Sequence, residues 1–311
     1  MKLRVKIGLA FLVLSSFAAS GCSRNAIEAV NLANEADQLR TVDLEGAIAK
    51  YEQAIQLDPT NHRIIWKLAL AHRRKEAWDK VASTLARAVQ VAPTFANYWF
   101  HRGYALARQA EANTISWEEA KEPLRKCIEL DPGYADCYHE LGLVHLYTDN
   151  EQEALVNYTK ALEHDPTRTE FYWPLAELYL NLDYIEEART VLQEGLSFAE
   201  EDDPNAYDMH ILMSEVYARK NQPNERVSHL ERAKALNDRE AEKSGGLGPH
   251  PEILFNLGST YAVLDPPRKT EALQLLNRFA AVVCKGSAGA TKYRSVCAEA
   301  QAHIGRLGGG M

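Results

Sequence analysis

Five cysteines are the residues of this 311-residue chain best suited to covalent chemistry. Cys22 stands alone behind an apolar leader, while Cys127 and Cys137 lie ten residues apart and Cys284 and Cys297 thirteen. Thiols persist as disulfides in an oxidising compartment, and four of them allow three connectivities. Local pairing is preferred. Unpaired buried thiols are the alternative, more so for Cys127, which falls at a small-residue core position. Neither spacing suits zinc, and no histidine lies at ligand spacing nearby. Other candidate chemistry is thin. The stretch Gly286 to Lys292, GSAGATK, has glycines and a lysine but not the four-residue gap and Gly-Lys-Ser/Thr ending of a phosphate loop. HExxH and GxSxG do not occur, and the ten histidines are scattered singly, His72 and His145 at core positions. The pairs Glu118/Glu119 and Glu186/Glu187 open predicted helices, where the dipole favours carboxylates. No catalytic residue, metal ligand set or cofactor is predicted.

The leader has a charged start in Lys2, Arg4 and Lys6, an apolar run from Gly8 to Ala19, and small residues before Cys22. That is the layout of a secretory signal. About a dozen apolar residues are too few to cross ~30 Å of hydrocarbon, which takes ~20 in a helix. Ala19-Ser20-Gly21-Cys22 resembles the lipobox of bacterial lipoproteins. The resemblance implies that residues 1–21 are a lipoprotein signal peptide and that acylated Cys22 becomes the mature N-terminus. Ala19 stands where that pattern most often has Leu, and plain secretion is the alternative. Ser23, rather than Asp, after the cysteine implies the outer membrane; the periplasmic face is the expected side, with the cell surface as the alternative. Acyl chains gain ~0.8 kcal/mol per buried CH2, so two or more hold a protein without a membrane helix. Losing the three leader cations from 35 basic residues against 43 acidic ones takes the formal charge from -8 to about -11. Such a chain has no electrostatic footprint for nucleic acid or for lying flat on anionic lipid.

The rest of the chain repeats itself. AIAKYEQAIQLDP ending at Pro59, VASTLARAVQVAP at Pro93, AKEPLRKCIELDP at Pro132 and ALVNYTKALEHDP at Pro166 align without gaps, at spacings of 34, 39 and 34. Within them a small or aliphatic, a bulky and a second small residue recur: Ala47, Tyr51, Ala54; Val81, Leu85, Ala88; Ala120, Leu124, Cys127; Ala154, Tyr158, Ala161. Offsets of four and three mark one helix face, and each proline ends its helix for want of an N–H. The preceding halves are helical too, with Ile65, Leu68, Ala69 and His72; Tyr138, Leu141, Gly142 and His145; Tyr172, Leu175, Ala176 and Tyr179. The pattern resembles the tetratricopeptide repeat, met most completely over 135–168. It implies an all-α right-handed solenoid of antiparallel helix pairs: a tether at 22–27, repeats one to six over 28–240, a Gly/Pro loop at 241–250, a degenerate seventh repeat at 251–288, and a capping helix and tail at 289–311. The cap is placed at about Thr291 to Arg306, stapled by a Cys284–Cys297 bridge, because each repeat buries its face only on a neighbour. Five extra residues around Ala110 to Ser116 predict a long turn in repeat three, with Ser116 and Glu119 as a capping box.

In this repeat family the first helices line a groove. Carrying those positions over gives Trp66, Leu70, Arg73 and Arg74; Phe100, Tyr104 and Arg108; His139, Leu143 and Tyr147; Trp173, Glu177 and Asn181; and Phe255. The set is aromatic with a basic edge, suited to anchoring a protein segment; any one ring has core packing as its alternative. Tetratricopeptide lipoproteins of this form resemble pilotins for type IV pilus secretins, and lipoproteins of gliding-motility, outer-membrane assembly and secretion complexes. The resemblance implies a non-enzymatic scaffold whose partners are envelope proteins and, through Cys22, the lipid membrane, with no small-molecule substrate. A periplasmic, chaperone-like peptide-binding module is the alternative.

Overall fold

The computed structural model describes residues 24–244, 248–285 and 292–308. The leader, Cys22 and residues 286–291 of the glycine-rich linker lie outside them. Among the described residues every regular element is helical, and none is long and apolar enough to cross a membrane.

The chain divides into two units, one ending at His164 and the other beginning at Asp165. The first holds four helix pairs: α1 (24–39) with α2 (Leu44–Leu57), α3 (His62–Arg74) with α4 (Trp78–Val91), α5 (Ala96–Glu111) with α6 (Glu118–Leu130), and α7 (Ala135–Leu146) with α8 (Glu151–His164). The second opens on a 3-10 turn, Thr169–Phe171, and holds α9 (Tyr172–Asn181) with α10 (Ile185–Phe198), α11 (Ala206–Arg219) with α12 (Pro223–Ser244), α13 (Ile253–Val263) with α14 (Lys269–Val282), and α15 (Arg294–Gly308). Within each unit a second helix packs on its own partner and on the first helix of the next pair.

The repeat residues make the cores. Ala47, Tyr51, Ala54, Leu85, Ala88, Ala120, Leu124, Ala154, Tyr158 and Ala161 are wholly shielded from solvent. Small residues set how closely helices approach. A Cβ on Gly142 would lie 2.8 Å from the Tyr158 ring, and one on Gly195 would lie 2.6 Å from both Met209 Sδ and Tyr172 Cγ.

Turns follow from local chemistry. Three of the helix-ending prolines are preceded by Asp, and Asp58, Asp131 and Asp165 each accept a hydrogen bond from the backbone N–H two residues on, at 3.1–3.2 Å. These Asx turns hold the chain in its reversal while the proline forbids another helical turn. Inside the pairs the reversal uses one residue in the left-handed region: Glu76, Asn113, Asp149, Asp183 and Asn221, at φ of 54–65°. Asn and Asp tolerate that conformation best after glycine.

Three boundaries and one helix cap differ from the sequence expectation. Residues 24–27 already belong to α1, so they are not a tether. α12 runs 22 residues to Ser244, past the expected loop start at 241, because no proline stops it. Arg239, just before the added turn, pairs with Glu201 at 2.8 Å and Asp202 at 3.4 Å. The final helix is Arg294–Gly308, ending two residues past the expected Arg306; the expected start at Thr291 lies outside the described residues. Ser116 Oγ accepts from Glu118 N at 3.3 Å rather than forming the Glu119 box, because Trp117 is itself helical.

Both local cysteine pairs are disulfides. Cys127–Cys137 joins α6 to α7 across a Cα separation of 6.3 Å, and Cys284–Cys297 joins the end of α14 to α15 across 5.8 Å. The second ties the terminal helix to the Leu276, Phe279 and Ala300 core.

Candidate protein-binding groove

In the first unit the expected groove residues share one ribbon of rings on α3 and α5. Trp66 is half-buried, its ring 5.3 Å from Tyr98 and 4.9 Å from His101. Tyr98 continues to Phe95, stacked at 5.2 Å, and its hydroxyl lies 2.8 Å from His62 Nδ1. Beyond His101, Tyr104 meets the edge of Trp78 at 5.6 Å. Trp66, Leu70, Arg73, Trp78, His101 and Tyr104 line a shallow crevice between the two helices. Burial, with Arg73 beside it, pushes His101 down to about 4, so the crevice holds a neutral imidazole at neutral pH.

Cations flank the ribbon. The guanidinium groups of Arg73 and Arg108 lie 5.7 and 5.0 Å from the centre of the one Tyr104 ring, within cation–π range. Arg74 is exposed, but its Nη1 donates to the Arg40 carbonyl at 2.6 Å, so it closes the C-terminal end of α1. On α7, His139 packs 5.6 Å from the Tyr158 ring, and Leu143 is half-buried. Tyr147 is 57% exposed and stacks at 4.4 Å, only 2° from parallel, on Trp117 at the start of α6.

Two of the expected groove rings are packing residues instead. Phe100 is only 9% exposed and sits against Tyr134 at 5.2 Å, where the chain enters α7. Phe255, in the second unit, faces Phe279 at 5.7 Å and joins the core beneath the terminal helix. Also in the second unit, Trp173 is half-buried on α9, with Glu177 and Asn181 exposed on the same helix. Although the residue is exposed overall, partial burial of its carboxyl raises Glu177, with Glu215 and Asp208 adding to it.

Several residues were missed from sequence. Trp78 and Trp117 each stand fifteen residues before a helix-ending proline, Pro93 and Pro132, so aligning backwards from the prolines finds both. Glu140 is a repeat-internal carboxylate only 7% exposed, and no period marks it. His210 and His229, nineteen residues apart and read as isolated, bring their Nδ1 atoms to 3.0 Å between α11 and α12. Among the described residues no cluster of three His, Cys, Asp or Glu could hold a metal.

Comparison with known proteins gives the same architecture. Residues 43–75 match a family profile described as TPR repeat, and residues 148–210 match one described as tetratricopeptide repeat. No curated protein sequence matches the chain. Among solved structures, the C-terminal part of a TPR repeat-containing protein from Cytophaga hutchinsonii is similar at a TM-score of 0.60 and 14% identity, covering 82% of this chain and 97% of that one. PilF of Pseudomonas aeruginosa is similar at 0.55 and 17% identity, covering 72% and 97%. PilW, described as a widely conserved type IV pilus biogenesis factor, is similar at 0.53 and 17%, covering 67% and 92%. At these identities the likeness is one of fold. The chain is a tetratricopeptide-repeat protein. That fold is a protein-interaction scaffold, typically without enzymatic activity.

Proposed function

We propose that this chain is a non-enzymatic lipoprotein scaffold of the outer membrane, anchored at the periplasmic face through an acylated Cys22. Its groove takes a segment of a protein belonging to a larger envelope machine: a type IV pilus secretin, a gliding-motility complex or a secretion complex. The observation that carries the binding role is the crevice of half-buried Trp66 and Tyr104 with exposed Arg73 across α3 and α5, aromatic and cationic side chains of the kind that dominate binding energy. The anchor rests on the leader and on Ser20-Gly21-Cys22. Pilus assembly is among the candidates because PilW, of like fold, is a pilus biogenesis factor. Lipid attachment confines the groove to a surface and raises the effective concentration of any partner held there.

Crosslinking in membranes, followed by capture of wild type and Cys22→Ser and mass spectrometry of the partners, tests this reading. A stoichiometric envelope complex that disappears in the variant is the expected result. A diffuse set of exported peptides, captured equally without the cysteine, would replace the scaffold by a chaperone-like module. Groove binding is tested separately by Trp66→Ala with Trp173→Ala, expected to abolish capture while leaving helicity and melting nearly unchanged.

A further inference from the structure

The chain is acidic overall, with a formal charge of -8, yet the α3–α5 crevice is cationic. Arg73 and Arg108 both lie over Tyr104. A guanidinium stacked by its face keeps its N–H edges available for a carboxylate. Arg73 is exposed and forms no ion pair among the described residues. Arg108 is half-buried and shared. Its Nη1 is 3.0 Å from Glu111 and its Nη2 3.7 Å from Glu140 Oε2, too far for a hydrogen bond. Arg108 Nε and Glu140 Oε2 are both buried without hydrogen-bond partners. The charged pair is therefore incompletely satisfied, a costly arrangement that an incoming group can relieve.

Glu140 is surrounded by Arg108 and Glu111 of α5 and by Asp136 and His139 of α7, the His139 Nδ1 at 3.9 Å. Tyr158 of α8 lies behind that imidazole. Burial pushes the Glu140 carboxyl up to about 7; Arg108 opposes the rise, and Asp136 and Glu111 add to it.

Building on the protein-binding role above, we propose that this crevice takes an acidic side chain of a partner protein between Arg73 and Arg108 over Tyr104, and an apolar side chain against Trp66 and Leu70. A proton accompanies the capture. An incoming carboxylate that engages Arg108 draws away the cation that keeps Glu140 ionised, and Glu140 takes up a proton. Binding and protonation then favour each other by linkage, so affinity rises as pH falls from 8.5 to 6. The partner's own carboxylate, with an ordinary value near 4, stays charged throughout. His101 stays neutral over that range and contributes no competing slope.

The test begins with a random twelve-residue display library selected on the purified full chain, the probe being the enriched peptides themselves. Enriched sequences are expected to carry Asp or Glu at a fixed offset from an aromatic or aliphatic residue, and to weaken about tenfold when that acid becomes Asn or Gln. Arg73→Gln should cost a similar factor without lowering the melting temperature. Affinity of the acidic peptide should tighten about tenfold from pH 8.5 to 6 in wild type. It should be flat in Glu140→Gln, at a level near that of wild type at pH 6. Enriched peptides that bind through Trp66 but lack acids would overturn the acidic partner and leave the groove reading intact. Acidic peptides with no pH slope, or with a slope unchanged in Glu140→Gln, would overturn the proton linkage. Failure to enrich any peptide sensitive to Trp66→Ala would overturn the groove reading itself.

Discussion

Acid should weaken the second unit through His210 and His229. Their Nδ1 atoms share a hydrogen bond at 3.0 Å, and Tyr217 stacks on His229 at 5.4 Å. Burial pushes both imidazoles down to about 4, helped for His210 by His229 and Arg232 and for His229 by Arg232. Their ordinary value in an unfolded chain is about 6.5. Both values are lowered on folding, so the folded state binds fewer protons. The pair's contribution is full above about 6.5, drains away as pH falls from 6.5 towards 4, and levels off below 4. At pH 5 each unfolded histidine has gained about 2 kcal/mol by protonation while the folded pair remains neutral. His229 is only half-buried and solvent discounts its share, so the two together should cost roughly 2–4 kcal/mol between pH 7.5 and 5. Urea melts of wild type and of His210→Gln/His229→Gln at both pH values isolate the effect, since the other histidines are common to both proteins. The double variant is expected to be the weaker at pH 7.5, having lost the shared bond, yet to lose roughly 2–4 kcal/mol less on acidification. Parallel losses in the two proteins would refute the claim that this pair is neutral in the fold.

Gly195→Ala should destabilise by roughly 1–3 kcal/mol, since its Cβ would meet Met209 and Tyr172 at 2.6 Å; thermal melting followed by circular dichroism measures it. Cys284→Ser with Cys297→Ser should cost about 3 kcal/mol by releasing the terminal helix, and limited proteolysis should then cut first near residue 294. A double-mutant cycle on Trp117→Ala and Tyr147→Ala should return a coupling of about 0.5–1.5 kcal/mol; a coupling near zero would mean the rings do not stack in solution.

The fold was readable because its signal is repeated. Ala47, Tyr51 and Ala54 recur as Val81, Leu85 and Ala88 at a fixed distance from a proline, and a 3.6-residue period places all six on core-facing sides. Boundaries failed where punctuation was missing. Without a proline α12 ran on to Ser244, and the apolar pattern gave no sign that α1 was already helical at residue 24. The candidate crevice was half readable. Repeat position brought Trp66, Arg73 and Tyr104 onto the same side of α3 and α5, but position cannot say which way a ring turns once its neighbours are large. Phe100 went to Tyr134 and Phe255 to Phe279 because those partners offered complete burial. Glu140 and the His210–His229 pair arise from contacts between helices, which no single helix period encodes.

The Cys127–Cys137 bridge also bears on how the chain carries load. A stack of repeats holds together one neighbour at a time, so tension applied along it peels units from an end. The bond crosses a joint between two repeats rather than lying within one, fastening the close of the third to the opening of the fourth. A pull that has unravelled everything up to residue 127 must pass through sulfur to residue 137. The ten-residue step between them, worth roughly 35 Å of slack when drawn straight, never enters the extended contour. The bridge therefore works as a rip-stop, limiting how far damage spreads from either side while leaving the crevice-lining helices α3 and α5 free to let go.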